Sequence, residues 1–175
     1  GDPDPKKLMR CANCGHLSLG VICQICKDHL LASPARTRVL DGDFKIYSFF
    51  DYSEVKNLLH SKHLFHGSFV YGALANLSFK IFARKFSFGS PVHAVPIDDK
   101  TTSGYSHTAI LARALKSRDV RPIYACLHAG SNVSYHGKDL AFRLKNPRNF
   151  RLLKTPNYPV ILIDDIVTTG TTIDE

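Results

Sequence analysis

Four of the five cysteines fall into one pattern: Cys11-x2-Cys14, eight intervening residues, then Cys23-x2-Cys26. Each Cys-x2-Cys pair puts two sulfurs on a tight knuckle, and two knuckles meeting give the tetrahedral four-sulfur set that zinc prefers. Gly15 and Gly20 in the link suit a short hairpin or turn. A closed four-thiolate site leaves no coordination position for substrate, so its expected role is structural. Fewer than about 40 residues cannot fold on an apolar core alone, so the metal is expected to fold a module over residues 6–35. Cys126 lies in the apolar run Arg-Pro-Ile-Tyr-Ala-Cys-Leu and reads as a buried core thiol.

The remaining length, to residue 175, suffices for one ordinary domain, and 44% apolar residues can supply its core. The longest apolar runs, such as Pro159–Ile163, are too short to cross a bilayer, and no basic-then-apolar start reads as a secretory signal. Gly1–Pro5 reads as an added or frayed start. The expected location is the cytoplasm, including the inner face of the cytoplasmic membrane. The net charge of +8 is uneven: between Arg113 and Lys154, ten Lys or Arg stand against two Asp. Such a block points to polyanions or to a solvated basic face.

The apolar pattern is interrupted between about Leu31 and Arg38, so a second unit is expected over residues 36–175. Ile46–Phe50 is β-branched and aromatic and reads as a strand. Asp51 with Glu54 forms a capping box, predicting a helix through His66 that stops at Gly67. A helix over Phe69–Phe86, a strand at Val92–Ile97, a helix over Tyr105–Lys116, a strand at Ile123–Leu127, a short helix over Lys138–Leu144 and a buried strand at Val160–Ile163 follow. This alternation predicts an α/β fold, a mainly parallel twisted sheet flanked by helices.

Val160–Thr172 reads VILIDDIVTTGTT: an apolar strand ending in two carboxylates, then a loop of small and hydroxyl residues. Backbone N–H groups and hydroxyls of Thr168–Thr172 can hold an anion where a helix starts, and Gly170 permits close approach. Asp164 and Asp165 repel phosphate, so their partners would be sugar hydroxyls or a hard cation such as Mg2+. Together these features describe a phosphorylated ribose.

These thirteen residues resemble the phosphoribosyl pyrophosphate (PRPP) loop of the type I phosphoribosyltransferases. The resemblance implies that Asp164 and Asp165 hold ribose hydroxyls, and that Thr168, Thr169, Gly170, Thr171 and Thr172 hold the 5′-phosphate with Ile166 and Val167 in the same loop. With four cysteines in front, the chain resembles the competence protein F (ComF) family. Tyr52-x2-Val55-x2-Leu58-Leu59-x2-Lys62 is similar to that family's early helix, and Leu140-x2-Arg143-x2-Asn146-x3-Phe150 to a later segment. Val95-Pro96-Ile97 is similar to the strand leading to its pyrophosphate loop, here Asp98–Thr102 with Lys100 as its one cation. The resemblance implies natural transformation, with single-stranded DNA handled as it enters the cytoplasm, PRPP with Mg2+ as ligand, and a helicase or ATPase and an inner-membrane channel as partners. It also implies a further helix and strand after residue 175.

Two basic stretches are candidate nucleic-acid surfaces. Lys80, Arg84 and Lys85 lie among Phe79, Phe82, Phe86 and Phe88, whose spacing also fits a core-facing stripe. Arg143, Lys145, Arg148, Arg151 and Lys154 form the other. His60, His63 and His66 read as solvent-facing or capping residues rather than metal ligands. The first reading is therefore a DNA-binding protein with a ribose-phosphate pocket. The second is an active Mg-dependent phosphoribosyltransferase, and the third an adaptor docking onto uptake machinery.

Overall fold

Two short strands, β1 (Met9–Arg10) and β2 (Leu17–Ser18), open the fold as an antiparallel hairpin in the computed structural model, which describes residues 8–39, 44–101, 103–133 and 139–167. The start Gly1–Pro5 and the loop Thr168–Thr172 lie outside the described residues. Helix α1 (Gln24–Ala32) follows, then β3 (Arg36–Val39) paired antiparallel with β4 (Lys45–Ser48). The Arg-Thr-Arg-Val stretch, at the interruption in the apolar pattern and not expected as a strand, is one: all four residues are exposed, and the pairing with β4 supplies what the sequence pattern lacks.

The Asp51–Glu54 capping box is present, with the Glu54 carboxylate accepting from the Asp51 N–H at 3.1 Å, and it opens α2 (Tyr52–Leu59). A 3-10 turn (His60–His63) continues α2, but Gly67 begins the next helix, α3 (Gly67–Leu77), rather than ending this one. Glycine is required there for close approach, because a Cβ would overlap both the Ser61 carbonyl oxygen and the Tyr105 hydroxyl. The single helix expected over 69–86 breaks at Ser78 (φ −133°, ψ −85°), whose hydroxyl donates to the Leu74 carbonyl at 2.6 Å and takes over the helical bond. Helix α4 (Phe79–Lys85) runs on from the break.

The parallel sheet has the order β6 (Val120–Pro122), β5 (Val92–Pro96), β9 (Val160–Ile163). Helix α5 (His107–Ala114) connects β5 to β6 and packs against both α3 and β5. The expected strand at Ile123–Leu127 is corrected: Ala125 is left-handed (φ +49°), which ends extended chain, and β7 (Leu127–Ala129) begins beyond it. β7 pairs antiparallel with β8 (Phe150–Leu152), which follows α6 (Leu140–Lys145). The sheet expected to be mainly parallel is thus, among the described residues, a three-stranded parallel sheet flanked by helices and accompanied by three antiparallel pairs, two of them closed by short connections and the β7–β8 pair by a longer one that carries α6.

One apolar cluster joins the cysteine module to the rest: Cys11, Ile22, Cys26 and Leu30 pack with Val55, Leu58, Tyr71 and Leu111. Phe79, Phe82 and Phe86 stack with Tyr47 and Phe49 beside β4, so their packing role prevails over that of free stacking platforms. Among the described residues no helix is long and apolar enough to cross a membrane.

Candidate functional site

The four cysteines converge, with their sulfurs all within 4.8 Å of one another. The first knuckle is the turn of the β1–β2 hairpin itself. Gly15, left-handed at φ +76°, donates to the Cys11 carbonyl at 2.9 Å, and the Cys11 N–H closes onto His16 O at 2.8 Å. The second knuckle is the start of α1, with Cys23 at the N-cap and Cys26 in the first turn. Backbone N–H groups face the sulfurs as the spacing implies: Cys23 N donates to Cys11 Sγ at 3.2 Å. Burial raises the Cys11 thiol, but hydrogen bonds from the backbone of Cys14, Cys23 and Asn13 outweigh it and bring Cys11 to about 6. Burial and the crowding of the other sulfurs push Cys26 up to about 12. Four thiols this close cannot all ionise without a cation, and a zinc-sized divalent ion is the counter-charge the set is shaped for. Among the described residues no other group of His, Cys, Asp or Glu gathers in this way; His60, His63 and His66 are exposed and separate. Cys126 is fully buried, its thiol donating to Lys154 O at 3.0 Å.

The second constellation lies at the carboxyl edge of the parallel sheet, where open α/β sheets bind ligands. Register pairs Pro96 with Ile163, so the segments after β5 and β9, Asp98–Lys100 and Asp164–Val167, leave the sheet side by side. Asp98 is left-handed (φ +49°), and its carboxylate accepts from Ala129 N at 3.0 Å. Asp99, with a side chain 4% exposed, accepts from Ala125 N at 2.7 Å and lies 2.8 Å from His128 Nε2. These acids tie the loop to the 125–129 segment. Lys100 Nζ donates to Ala129 O at 2.6 Å and lies 3.4 Å from Asp98, so the loop's cation is already engaged.

The two acids of the strand end have different surroundings. Asp165 Oδ2 accepts from Lys62 Nζ at 3.2 Å and Tyr71 OH at 3.0 Å, and faces His107 Nε2 at 3.5 Å. Burial would raise the Asp165 carboxyl, but Lys62, His107 and the Tyr71 hydrogen bond outweigh it and hold the group below its ordinary value. Asp164 accepts from the Asp165 N–H at 2.8 Å, and burial together with the Asp165 charge raises its pKa well above the carboxylate range. Burial lowers the His107 pKa against the raising field of Asp165, and its Nδ1 is buried with no hydrogen-bond partner among the described residues. Lys62 is aimed by its turn: Tyr105 OH donates to Ser61 O at 3.1 Å, and Ser103 Oγ donates to His63 O at 3.0 Å.

Sequence reading missed Lys62, Tyr71 and His107 as site residues. Lys62 carried a signal as the last position of the Tyr52–Lys62 segment; Tyr71 and His107 are indistinguishable from core residues until the fold joins positions 94 apart. Of the candidate nucleic-acid residues, Lys80, Arg84 and Lys85 are exposed on α4 and Arg151 on β8. Arg143 and Arg148 are half-buried, and the Arg148 charge opposes the rise at Asp164.

Opposite signs follow for the acid pair. The folded pKa of Asp164 is raised, so its stabilising contribution is complete at low pH and is lost as pH rises through that value. Asp164→Asn keeps the acceptor for Asp165 N and is expected to leave the melting temperature at pH 7–8 equal or higher, whereas Asp165→Asn lowers it. Thermal melts of both variants across pH check this; a large loss in Asp164→Asn at pH 8 would contradict it.

Compared with models of known protein families the chain matches none, and among curated proteins it has no matching relative.

Proposed function

We propose that this chain is a DNA-handling protein of natural transformation, a zinc-stapled phosphoribosyltransferase-like domain that binds single-stranded DNA with little sequence preference and carries a PRPP or ribose 5-phosphate pocket. The observation that carries the pocket is the β5–β9 register, which sets two segments side by side at the carboxyl edge of a parallel sheet, one of them opening with Asp164 and Asp165. Asp165 is engaged by three groups, so Asp164 is the carboxylate left for ribose hydroxyls or Mg2+. Thr168–Thr172 would hold the 5′-phosphate. The DNA half is supported by the net charge of +8 and by the ComF resemblance.

The enzyme reading, transfer of ribose 5-phosphate from PRPP to a base or amine, draws on the same register. Binding is preferred over turnover because a departing pyrophosphate needs cations, and Lys100 is already held by Ala129 O and Asp98. Titration calorimetry with Mg-PRPP is expected to show binding to the wild type and at least about a tenfold loss in the Asp164→Asn, Asp165→Asn double variant, the lost charge-assisted contact of Asp164 being worth about 1.5 kcal/mol or more. Full affinity in a folded double variant would remove the ribose assignment. Pyrophosphate release from Mg-PRPP with any nucleobase would establish the enzyme instead.

A further inference from the structure

Lys80 and Arg84 on α4, Arg113 near the end of α5, and Lys116 and Arg118 in the turn after it all line one open groove of about 710 Å³ between α3–α4 and α5. The basic stretches read from sequence did not join them: Lys80 and Arg84 belong to one, while Arg113, Lys116 and Arg118 precede the other. All five are exposed, and none forms a salt bridge among the described residues. The one acid on the rim, Asp119, is met by the Ser87 hydroxyl at 3.5 Å. Small residues form the floor: a Cβ on Gly72 would meet nothing within 4 Å, and Ala75, Ala83 and Ala114 line the rest. Helix dipoles explain a cation in the last turn of α4 and of α5. They do not explain why cations from three segments face one another, which costs repulsion unless an anion lies between them.

We propose that this groove is the track for the phosphodiester backbone of single-stranded DNA; this rests on the DNA-handling reading and gives it a place. The groove lies along the seam where α4 packs against α5, and its single-stranded occupant is taken from the DNA-handling reading. The five cations supply the sequence-independent phosphate contacts by which single-strand grooves follow the backbone. Phe86 at the rim, stacked on Phe82, offers one aromatic edge beside the track.

The test is fluorescence anisotropy of a labelled oligothymidylate of about twenty nucleotides, titrated between about 50 and 200 mM salt. The wild type is compared with a Lys80→Gln, Arg113→Gln, Arg118→Gln variant and with an Arg151→Gln, Lys154→Gln variant. Circular dichroism and thermal melting verify folding, which exposed charge-to-amide changes leave intact. The groove variant is expected to bind at least tenfold more weakly at low salt, with a salt slope shallower by about 2, from roughly 0.7 per cation removed. The Arg151, Lys154 variant should lose less. Wild-type binding with an unchanged slope in the groove variant would overturn the groove and leave the DNA reading standing. Absence of wild-type binding at low salt would overturn the DNA reading itself. Equal affinity for a duplex, equally weakened by the groove variant, would overturn the single-strand assignment.

Discussion

Replacing Cys11 with Ser, or stripping metal with a chelator, is expected to lower the melting temperature of the whole chain by about 10 °C or more and to abolish a stoichiometric zinc content. Cys11 is 3% exposed, takes the Cys23 N–H on its sulfur, and closes the hairpin turn through its own N–H. Structural zinc sites in isolated fingers are worth about 10–16 kcal/mol of apparent folding free energy. Part of that is kept here because Ile22 and Leu30 are anchored by apolar contact, so about 4 kcal/mol is a conservative loss, at roughly 2–4 °C per kcal/mol for a chain of this size. The loss should reach the main domain, because the module has no core of its own: its buried residues belong to the cluster containing Val55, Leu58 and Tyr71. Elemental analysis and calorimetry read both effects. Cys126→Ser, remote from the cluster, should leave the zinc content unchanged. A protein that holds no metal, with Cys11→Ser melting as the wild type does, would refute the zinc assignment.

What the sequence revealed and what it hid divide along the range of the interactions. The cysteine knuckles, the Asp51–Glu54 box and the apolar Val160–Ile163 strand are local patterns, and each stands where spacing puts it, although the strand expected to be buried has only Ile163 buried and Val160 exposed. Errors arose where a distant atom decides local conformation. Gly67 resembles a helix stop but starts a helix, because Tyr105, 38 positions later, occupies the space of its missing side chain. Ser78 resembles any helical serine until its hydroxyl bonds back to Leu74. Arg36–Val39 carries no apolar alternation, and only the partner strand makes it β. The two adjacent acids were legible as a pair but not as unequal members. Their difference comes from Lys62, Tyr71 and His107, which three separate helical segments bring to one oxygen.

That convergence sets the other large effect. Lys62→Met is expected to destabilise the fold by about 3 kcal/mol, roughly 6–12 °C, although the side chain is 28% exposed and reads as a surface lysine. The Asp165 side chain is 7% exposed, and removing its lysine leaves a buried carboxylate served by the Tyr71 hydroxyl and the His107 ring. Tyr71→Phe removes the remaining hydroxyl donor, whose single proton goes to Asp165 at 3.0 Å rather than to Leu59 O at 3.4 Å, and should cost about 1–2 kcal/mol. The pH dependence separates this charge effect from lost packing. Asp165 has a depressed folded pKa, so its stabilisation is present above the ordinary carboxylate range and disappears as pH falls through the folded value. Without Lys62 that value rises, so the deficit of the variant relative to wild type should be largest near neutral pH and shrink as the pH falls and the carboxyl protonates. Adding Asp165→Asn to Lys62→Met removes the stranded charge and should recover much of the loss. If the double variant is as unstable as Lys62→Met alone and the deficit of Lys62→Met is the same at every pH, Lys62 acts through its packed hydrocarbon stem and not through its charge.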